Sequence, residues 1–455
     1  MTWEGLPGAV RWMLVAAAGL VVVSLVRIAS GASDIDSSGA LRAALISTVP
    51  IALAGLGGLW SERAGVVNIG LEGMLLAGAL GAGVCTYHYG IVAGLLGGIA
   101  FGAIGGLVHA VATVLIGVDH IVSGVAINII SAGLCAFLAS VFFADLPNGG
   151  PTQSPPLNSP PTITIGPLVD ASRDVERHGW FVLSDLAGIV GALTRSLSLV
   201  TVLALLLFVL SFVVLWWTPF GLRLRSVGES PSAAESLGVN VYLYKVIAVV
   251  ISGGLAGLAG AYLALVASSG YQNGMSNGIG YIGLAAMIFG NWRPLGLLMG
   301  ALIFGYTTAL QLRGGTESLH ALLLVIGLFL LAVSVTMVVR DRVPAAAAPA
   351  ALGVIAVLFL AYVLTDAAAL LVGLAALALA AAAALGLARA ISVRGAVSLV
   401  LGGVFTLWYA TTDTIAANFA GMAPYVATLF VLAYAAQSLR MPAADGLIYR
   451  RGSTG

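Results

Sequence analysis

An acidic side chain, Glu72, lies inside an apolar stretch of the sequence, where an ionisable group is costly and requires a polar partner. If this stretch is helical, Asn68 lies four residues earlier on the same helical face. Two roles fit such a pair: lining a solute pathway or gate, or hydrogen bonding to a neighbouring helix for structural reasons. The residues themselves favour the structural role and leave both open.

A second candidate site is a polar segment between two apolar runs, which reads "RSVGESPSAAESLGVNV" from Arg225 onward. Ser230 followed by Pro231 is typical of a helix start, and Gly238 is typical of a helix end. The pattern therefore predicts a helix of about two turns. Its small apolar face suits docking into a groove of another protein, although an ordinary amphipathic loop helix has the same pattern; that face comprises Ala233, Ala234 and Leu237.

A third candidate is the short apolar segment 278–291, which continues into Trp292, Arg293 and Pro294. It is too short to cross a bilayer at full thickness and is interrupted by glycine. Such a segment at membrane depth is buried in protein or lines a cavity, and an ordinary tight helix pair is the alternative.

Composition decides which solvent surrounds these elements. Hydrophobic residues make up 60% of the 455 residues and charged residues only 8%, against about 25% charged in a soluble domain. A globular fold lacks the polar shell for this composition, so the sequence predicts an all-α polytopic membrane protein. The net charge of +1 argues against nucleic acid as a partner.

Several kinds of chemistry have no signature in the sequence. There is no Gly-x-x-x-x-Gly-Lys-Ser/Thr loop, so ATP hydrolysis by that route is excluded. Cys85 and Cys135 are isolated within apolar runs and are expected to be inert. The histidines show no paired ligand spacing, so we expect neither a metal nor another cofactor; they are His88, His109, His120, His178 and His320.

Apolar runs predict fourteen spans. They are 12–28, 41–60, 66–87, 91–116, 121–143, 198–218, 246–266, 278–291, 295–312, 318–339, 349–365, 368–388, 396–411 and 424–439. With the N-terminus inside, thirteen cations fall on the cytoplasmic side and six outside, as the positive-inside rule requires. The inner cations are Arg11, Arg63, Arg223, Arg225, Lys245, Arg293, Arg340, Arg342, Arg389, Arg394, Arg440, Arg450 and Arg451, and the outer ones are Arg27, Arg42, Arg173, Arg177, Arg195 and Arg313.

Two polar segments divide the spans. The outer loop 144–197 is rich in proline, which disfavours a regular helix and favours stiff, extended chain. The inner segment 219–245 contains the predicted short helix. The first span is either an uncleaved anchor or a signal peptide.

The sequence resembles the permeases of bacterial ABC importers over about residues 41–340, in the nucleoside or simple-sugar branch related to ribose and branched-chain amino acid permeases. The most specific stretch, "SERAGVVNIGLEGM", runs from Ser61 to Met74. The loop "RSVGESPSAAESLGVNV" is similar to the family's coupling segment, and "IGLAAMIFGNWRPLG" to its following short helix.

This resemblance implies a multi-pass permease of the bacterial inner membrane that is not itself an enzyme. It implies a 1–40 anchor, a 41–340 core of about ten helices, and about four extra spans in 341–455 that match no core pattern. The implied partners are a separate ABC ATPase, a second permease subunit, an extracytoplasmic solute-binding lipoprotein and a small polar solute such as a nucleoside. The ATPase would contact the loop through Gly228, Glu229, Pro231, Ala233, Ala234, Glu235, Leu237 and Gly238.

Two other classes compete with this interpretation. A secondary transporter driven by an ion gradient usually needs several intramembrane charges, whereas Glu72 is the one acidic residue well inside a predicted span. An intramembrane enzyme would need a catalytic constellation, and the sequence contains neither a His-x-x-Glu-His-type motif nor paired aspartates.

Overall fold

The computed structural model describes residues 20–28, 30–32, 35–313, 315–342, 393–415 and 439–451. The predicted spans 349–365 and 368–388, nearly all of 424–439 and the first part of 12–28 lie outside these residues. Elsewhere the prediction of an all-α polytopic protein is confirmed, and six of the described helices are long and apolar enough to cross a membrane.

The helices follow the predicted spans closely, with one short helix, α1, at residues 20–28. The others are α2 Ser38–Arg63, α3 Leu71–Tyr89, α4 Ile91–Ala110, α5 His120–Phe143, α6 Gly166–Arg177, α7 Leu183–Thr194, α8 Leu199–Trp217, α9 Pro219–Glu229, α10 Pro231–Ser236, α11 Val241–Tyr262, α12 Ile279–Phe289, α13 Pro294–Arg313, α14 Gly315–Arg342 and α15 Val393–Thr411. Short π-helical stretches extend α4 through Val111–Ile116 and α11 through Leu263–Ala267.

Two compact units can be distinguished. One comprises Ala44–Thr164, Ser196–Thr307 and Pro424–Gly455, and its centre is the packing of α3, α4 and α11. Glycines on these helices meet backbone to backbone: a Cβ at Gly106 would lie 2.6 Å from the Val249 carbonyl oxygen and 3.1 Å from the Gly253 Cα. The glycine-rich runs thus serve close helix approach, as small residues do in membrane bundles.

The other unit comprises Met1–Ala43, Ile165–Arg195 and Thr308–Ala423. In it α14 packs on α15, and α6 pairs with α7. The Arg27 guanidinium lies 3.2 Å from an Asp36 carboxylate oxygen and 3.0 Å from one of Asp185. This buried charge cluster ties residues before α2 to the α6–α7 pair.

The predicted outer loop 144–197 is only partly irregular. Its proline-rich first half is non-helical, and the Tyr271 backbone N–H donates to the Ser154 hydroxyl at 2.9 Å. A two-stranded antiparallel ribbon follows, from β1 Thr162–Ile163 and β2 Leu197–Ser198. The expectation of extended chain throughout is wrong for its second half: α6 and α7 form there because proline is confined to the first turn of α6.

The inner segment forms two helices in place of the single one predicted. Pro219 starts α9, whose first turn is capped by the Thr218 hydroxyl, which accepts the Gly221 N–H at 3.2 Å. The short helix α10 starts at Pro231 as predicted, although the Ser230 side chain makes no capping hydrogen bond. Gly238 has a φ of +81°, which favours glycine, and ends this element.

The predicted orientation can be tested by thiol labelling in a background in which both native cysteines are replaced. Cysteines at Asn158 and Thr414, both exposed, should react with an impermeant reagent in intact cells. A cysteine at Ser232, also exposed, should react only after permeabilisation. If position 232 alone were labelled in intact cells, the orientation would be the opposite of the predicted one.

Candidate functional site

The most specific sequence stretch folds as a break between two spans. Helix α2 ends at Arg63, residues 64–70 are non-helical, and α3 begins at Leu71. We call residues 64–70 the junction. The expectation that Asn68 and Glu72 share one helical face is therefore wrong, because Asn68 lies in the junction and Glu72 in the first turn of α3.

Polar side chains from four surrounding helices satisfy the junction backbone. The Ser61 hydroxyl donates to the Val66 carbonyl at 2.6 Å, and the Lys245 ammonium to the Gly65 carbonyl at 3.2 Å. The Asn128 amide donates to the Ile69 carbonyl at 2.9 Å. Since lipid offers no hydrogen-bond partner, these side chains stabilise the non-helical backbone between α2 and α3.

Two histidines complete this set. Nδ1 of His120 accepts the Val67 N–H at 3.3 Å, and Nε2 of His109 lies 3.0 Å from the Val67 carbonyl oxygen. Nδ1 of His109 pairs with the Ser123 hydroxyl at 2.9 Å. The spacing of the histidines in the sequence did not reveal this role, because His109 and His120 both bond to the backbone of Val67, which is distant from them in the sequence.

The Glu72 carboxylate caps the short helix α12. Its Oε1 accepts the Gly278 N–H at 2.7 Å and its Oε2 accepts the Gly280 N–H at 2.6 Å. A negative charge at a helix N-terminus also interacts favourably with the helix dipole. This geometry favours the structural role for Glu72.

Asn68 is fully buried in the junction. Its amide nitrogen donates to the Ser252 hydroxyl at 2.9 Å, whereas its Oδ1 has no hydrogen-bond partner among the described residues. An unpaired buried carbonyl costs on the order of 1–3 kcal/mol. The structure brings Asn68 near the start of α3 without pairing it with Glu72.

The end of α2 is anchored to the turn after α12. The Arg63 guanidinium donates twice to the Trp292 carbonyl, at 2.9 and 2.6 Å, and the Trp292 indole N–H donates to Glu62 Oε2 at 2.6 Å. Trp292 has a φ of +53°, which is uncommon for an aromatic residue. These three bonds hold it in that conformation.

The predicted coupling loop is seated on this same end of α2. A Cβ at Gly228 would lie 2.9 Å from the Arg63 carbonyl carbon and 3.1 Å from the Gly65 nitrogen, so only glycine fits. Glu229 lies 4.0 Å from the Arg63 guanidinium, with its side chain about half exposed. The loop therefore contacts the junction directly.

Helix α10 presents a different face from the one predicted. Ala234 is only 2% exposed and packs with Val227 and Val241, because it lies on the inner side of the helix. Leu237 is 85% exposed. The exposed surface consists of Ser232, Ala233, Ser236, Leu237 and Gly238, while Pro231 and Glu235 are half-buried.

Sequence reasoning missed the C-terminal residues 439–451, which lie against this site. The Ala444 N–H donates to the Gly228 carbonyl at 2.9 Å. Asp445 is buried, and burial raises the pKa of its carboxyl to about 7, whereas its contact with Glu62 and the positive charges of Lys245 and Arg63 act in the opposite direction. No local pattern in the sequence indicates these long-range contacts.

The capping role of Glu72 predicts the effect of Glu72→Gln. A glutamine keeps one acceptor and turns a donor toward the second backbone N–H, so we expect a loss of about 1–3 kcal/mol of stability. A lowered melting temperature in detergent should accompany nearly normal transport per folded molecule. A normal melting temperature with abolished transport would instead assign Glu72 to the pathway or gate.

Comparison with known proteins identifies the family to which this chain belongs. Residues 40–334 match the family of branched-chain amino acid transport system permease components. No solved structure shows a significant match.

The matches to three individual relatives extend over most of each relative's length. The nucleoside ABC transporter permease protein NupC of Lactococcus lactis is 38% identical over 281 residues, covering 60% of this chain and 81% of the relative. The guanosine ABC transporter permease protein NupQ of Bacillus subtilis is 36% identical over 279 residues, with the same coverage of 60% and 81%. The putative glucose ABC transporter permease protein TsgC13 of Haloferax volcanii is 36% identical over 288 residues, covering 62% and 80%. The chain therefore belongs to the family of branched-chain amino acid transport system permease components.

Proposed function

We propose that this chain is the permease subunit of an ATP-driven importer of nucleosides. The observation that carries the proposal is the 38% identity to a lactococcal nucleoside permease across 81% of that relative. The guanosine permease supports the same solute class. The resemblance to the nucleoside or simple-sugar branch, first seen in Ser61 to Met74, is thereby confirmed.

The partners follow from this function. A separate ABC ATPase would hydrolyse ATP, a second permease subunit would complete the pathway, and an extracytoplasmic lipoprotein would deliver the solute. The complex would lie in a bacterial inner membrane. Multiple apolar helices and the family match support a multi-pass membrane protein.

The geometry supports a route from the ATPase to the membrane helices. The exposed face of α10 is free to enter a groove on another protein, while Gly228, near the end of α9, is buried against Arg63 and the junction. A push on α10 would therefore reach α2 and α3 through packed backbone. Asn68 and Glu72 lie at the receiving end of this path.

Glucose is the main competing solute, because one relative is a putative glucose permease with 36% identity. An ion-coupled secondary transporter is the competing mechanism. Among the described residues, the buried charges Glu62 and Lys245 lie near the ends of α2 and α11 and have structural partners. The buried Asp36 and Asp185 are paired with Arg27. Charges held by such partners disfavour a proton or ion relay through the membrane.

Uptake measurements test the proposal directly. In cells that lack the gene, reintroduction of the chain should restore accumulation of radiolabelled guanosine, and excess unlabelled nucleoside should compete with it. Excess glucose and leucine should not compete. Accumulation should be blocked by vanadate and should persist when an ionophore collapses the ion gradients but ATP is maintained; the reverse pattern would establish secondary transport.

A charge on the exposed face of α10 tests the ATPase contact. Leu237→Arg places an unpaired charge in the proposed groove. Burying such a charge costs several kcal/mol. Because about 1.4 kcal/mol is a tenfold change in affinity, this cost would weaken ATPase binding strongly. We expect normal membrane abundance, weak co-purification of the ATPase subunit and loss of uptake.

The matched control is Leu237→Ala, which removes apolar contact without adding charge and should weaken uptake far less. Ala234→Arg is unsuitable for this purpose, because Ala234 is buried within the chain and the variant would disturb folding. Unchanged uptake and ATPase co-purification in Leu237→Arg would exclude α10 from the interface.

A further inference from the structure

The C-terminal segment 439–451 is bonded to the loop that the proposed function assigns to the ATPase. The Ala444 N–H donates to the Gly228 carbonyl at 2.9 Å, and the Ala443 N–H donates to Glu229 Oε2 at 3.2 Å. Both bonds fall at the last two residues of α9, next to α10. The C-terminal segment therefore contacts the loop at Gly228 and Glu229, where the loop itself lies against the junction.

A second attachment holds α10 itself. The Tyr449 hydroxyl donates to Glu235 Oε2, and the Arg451 guanidinium lies 3.1 Å from Glu235 Oε1. Arg451 is largely exposed, so its ion pair contributes little. The Tyr449 side chain also packs against the apolar cluster of Val227, Ala234 and Val241, which makes Tyr449 the principal contact of the segment with this helix.

A third set of contacts fixes the same segment to the membrane helices. Its Ala444 carbonyl oxygen lies 3.0 Å from where a Cβ of Gly65 would be, so only glycine accommodates it closely. The Tyr449 ring lies 5.4 Å from that of Tyr242, at the start of α11. Asp445 is buried beside Glu62 and Lys245.

A helix of six residues is too short to be stable by itself and takes its position from what packs against it. Helix α10 has two such supports: its own side chain Ala234 and the Tyr449–Glu235 contact. If the second support were absent, displacement by a docked protein would be absorbed by movement of the loop. With both supports, the loop and the ends of α2 and α11 move together.

Resting on the proposed function, we propose that residues 439–451 form a brace, in which Ala444 bonded to Gly228 and Tyr449 bonded to Glu235 hold α10 against α2 and α11 while the ATPase acts on it. The brace is a permanent positioning element. It transmits motion and is not part of the solute pathway.

A double-mutant cycle tests the brace. Tyr449→Phe removes the hydroxyl and keeps the ring, and Glu235→Ala removes the carboxylate that accepts from it. Each variant should lower guanosine transported per ATP hydrolysed by about tenfold or more, the effect of losing one hydrogen bond to a charged group. Combining both should cause no further loss, because both remove the same contact.

In Tyr449→Phe, which lies outside the predicted ATPase-contacting residues, ATPase co-purification, ATP hydrolysis and membrane abundance should all stay normal. Tyr89→Phe, at an 80% exposed tyrosine at the end of α3, controls for loss of a tyrosine hydroxyl elsewhere. A merely structural segment would lower abundance and leave the ratio of transport to hydrolysis unchanged. That result, or additive losses in the double variant, would overturn the brace.

Crosslinking provides the converse test. In a background lacking Cys85 and Cys135, Glu235→Cys combined with Tyr449→Cys removes the natural contact and should uncouple transport. A short bis-maleimide that joins the two thiols should restore coupling toward that of the cysteine-free parent. Failure of the two thiols to crosslink, or efficient crosslinking without recovery, would contradict a permanent brace.

These readouts separate the two proposals. If the cysteine-free parent transports no nucleoside, the proposed solute is wrong, whereas the yield of the 235–449 crosslink still reports on the geometry of the brace. If the parent transports guanosine and the crosslink changes nothing, the brace alone fails.

Discussion

The non-helical junction between α2 and α3 is the constraint on which the surrounding structure depends. A chain that leaves the helical conformation near or within a bilayer exposes backbone N–H and C=O groups that lipid cannot satisfy, at a cost of several kcal/mol per group. Here the partners come from Ser61, His109, His120, Asn128 and Lys245. Among the described residues, this one break accounts for four otherwise costly buried polar side chains, those of Ser61, His109, His120 and Lys245.

The same break organises the elements around it. Because α3 starts late, Glu72 falls in its first turn and reaches the N-terminus of α12. Because α2 ends at Arg63, that side chain is free to bind the Trp292 carbonyl after α12. The short helix is therefore held at both ends by residues that flank the junction, which explains why a segment too short to span the membrane is nevertheless well packed.

The spans could be predicted from sequence because burial in lipid imposes a continuous apolar run, and this requirement is local. The helix α10 could also be predicted, since Pro231 and Gly238 act within one turn of the helix ends. A break between the spans 41–60 and 66–87 could be predicted, but its extension to residue 70 could not, because Val66, Val67 and Ile69 are as apolar as any helical residue. What distinguishes them is the set of distant side chains that bond to their backbone.

The orientation of α10 and the position of the C-terminal segment were beyond sequence reasoning for a related reason. A helix of six residues has alanines on more than one side, and only the tertiary contacts decide that Ala234 faces inward and Leu237 outward. Near the end of α9, Gly228 lies against Arg63 and Gly65 on one side, and its carbonyl oxygen accepts the Ala444 N–H on the other. A glycine enclosed by backbone on both sides has little room to move independently, so a displacement of the end of α9 would be passed to the junction in the proposed coupling.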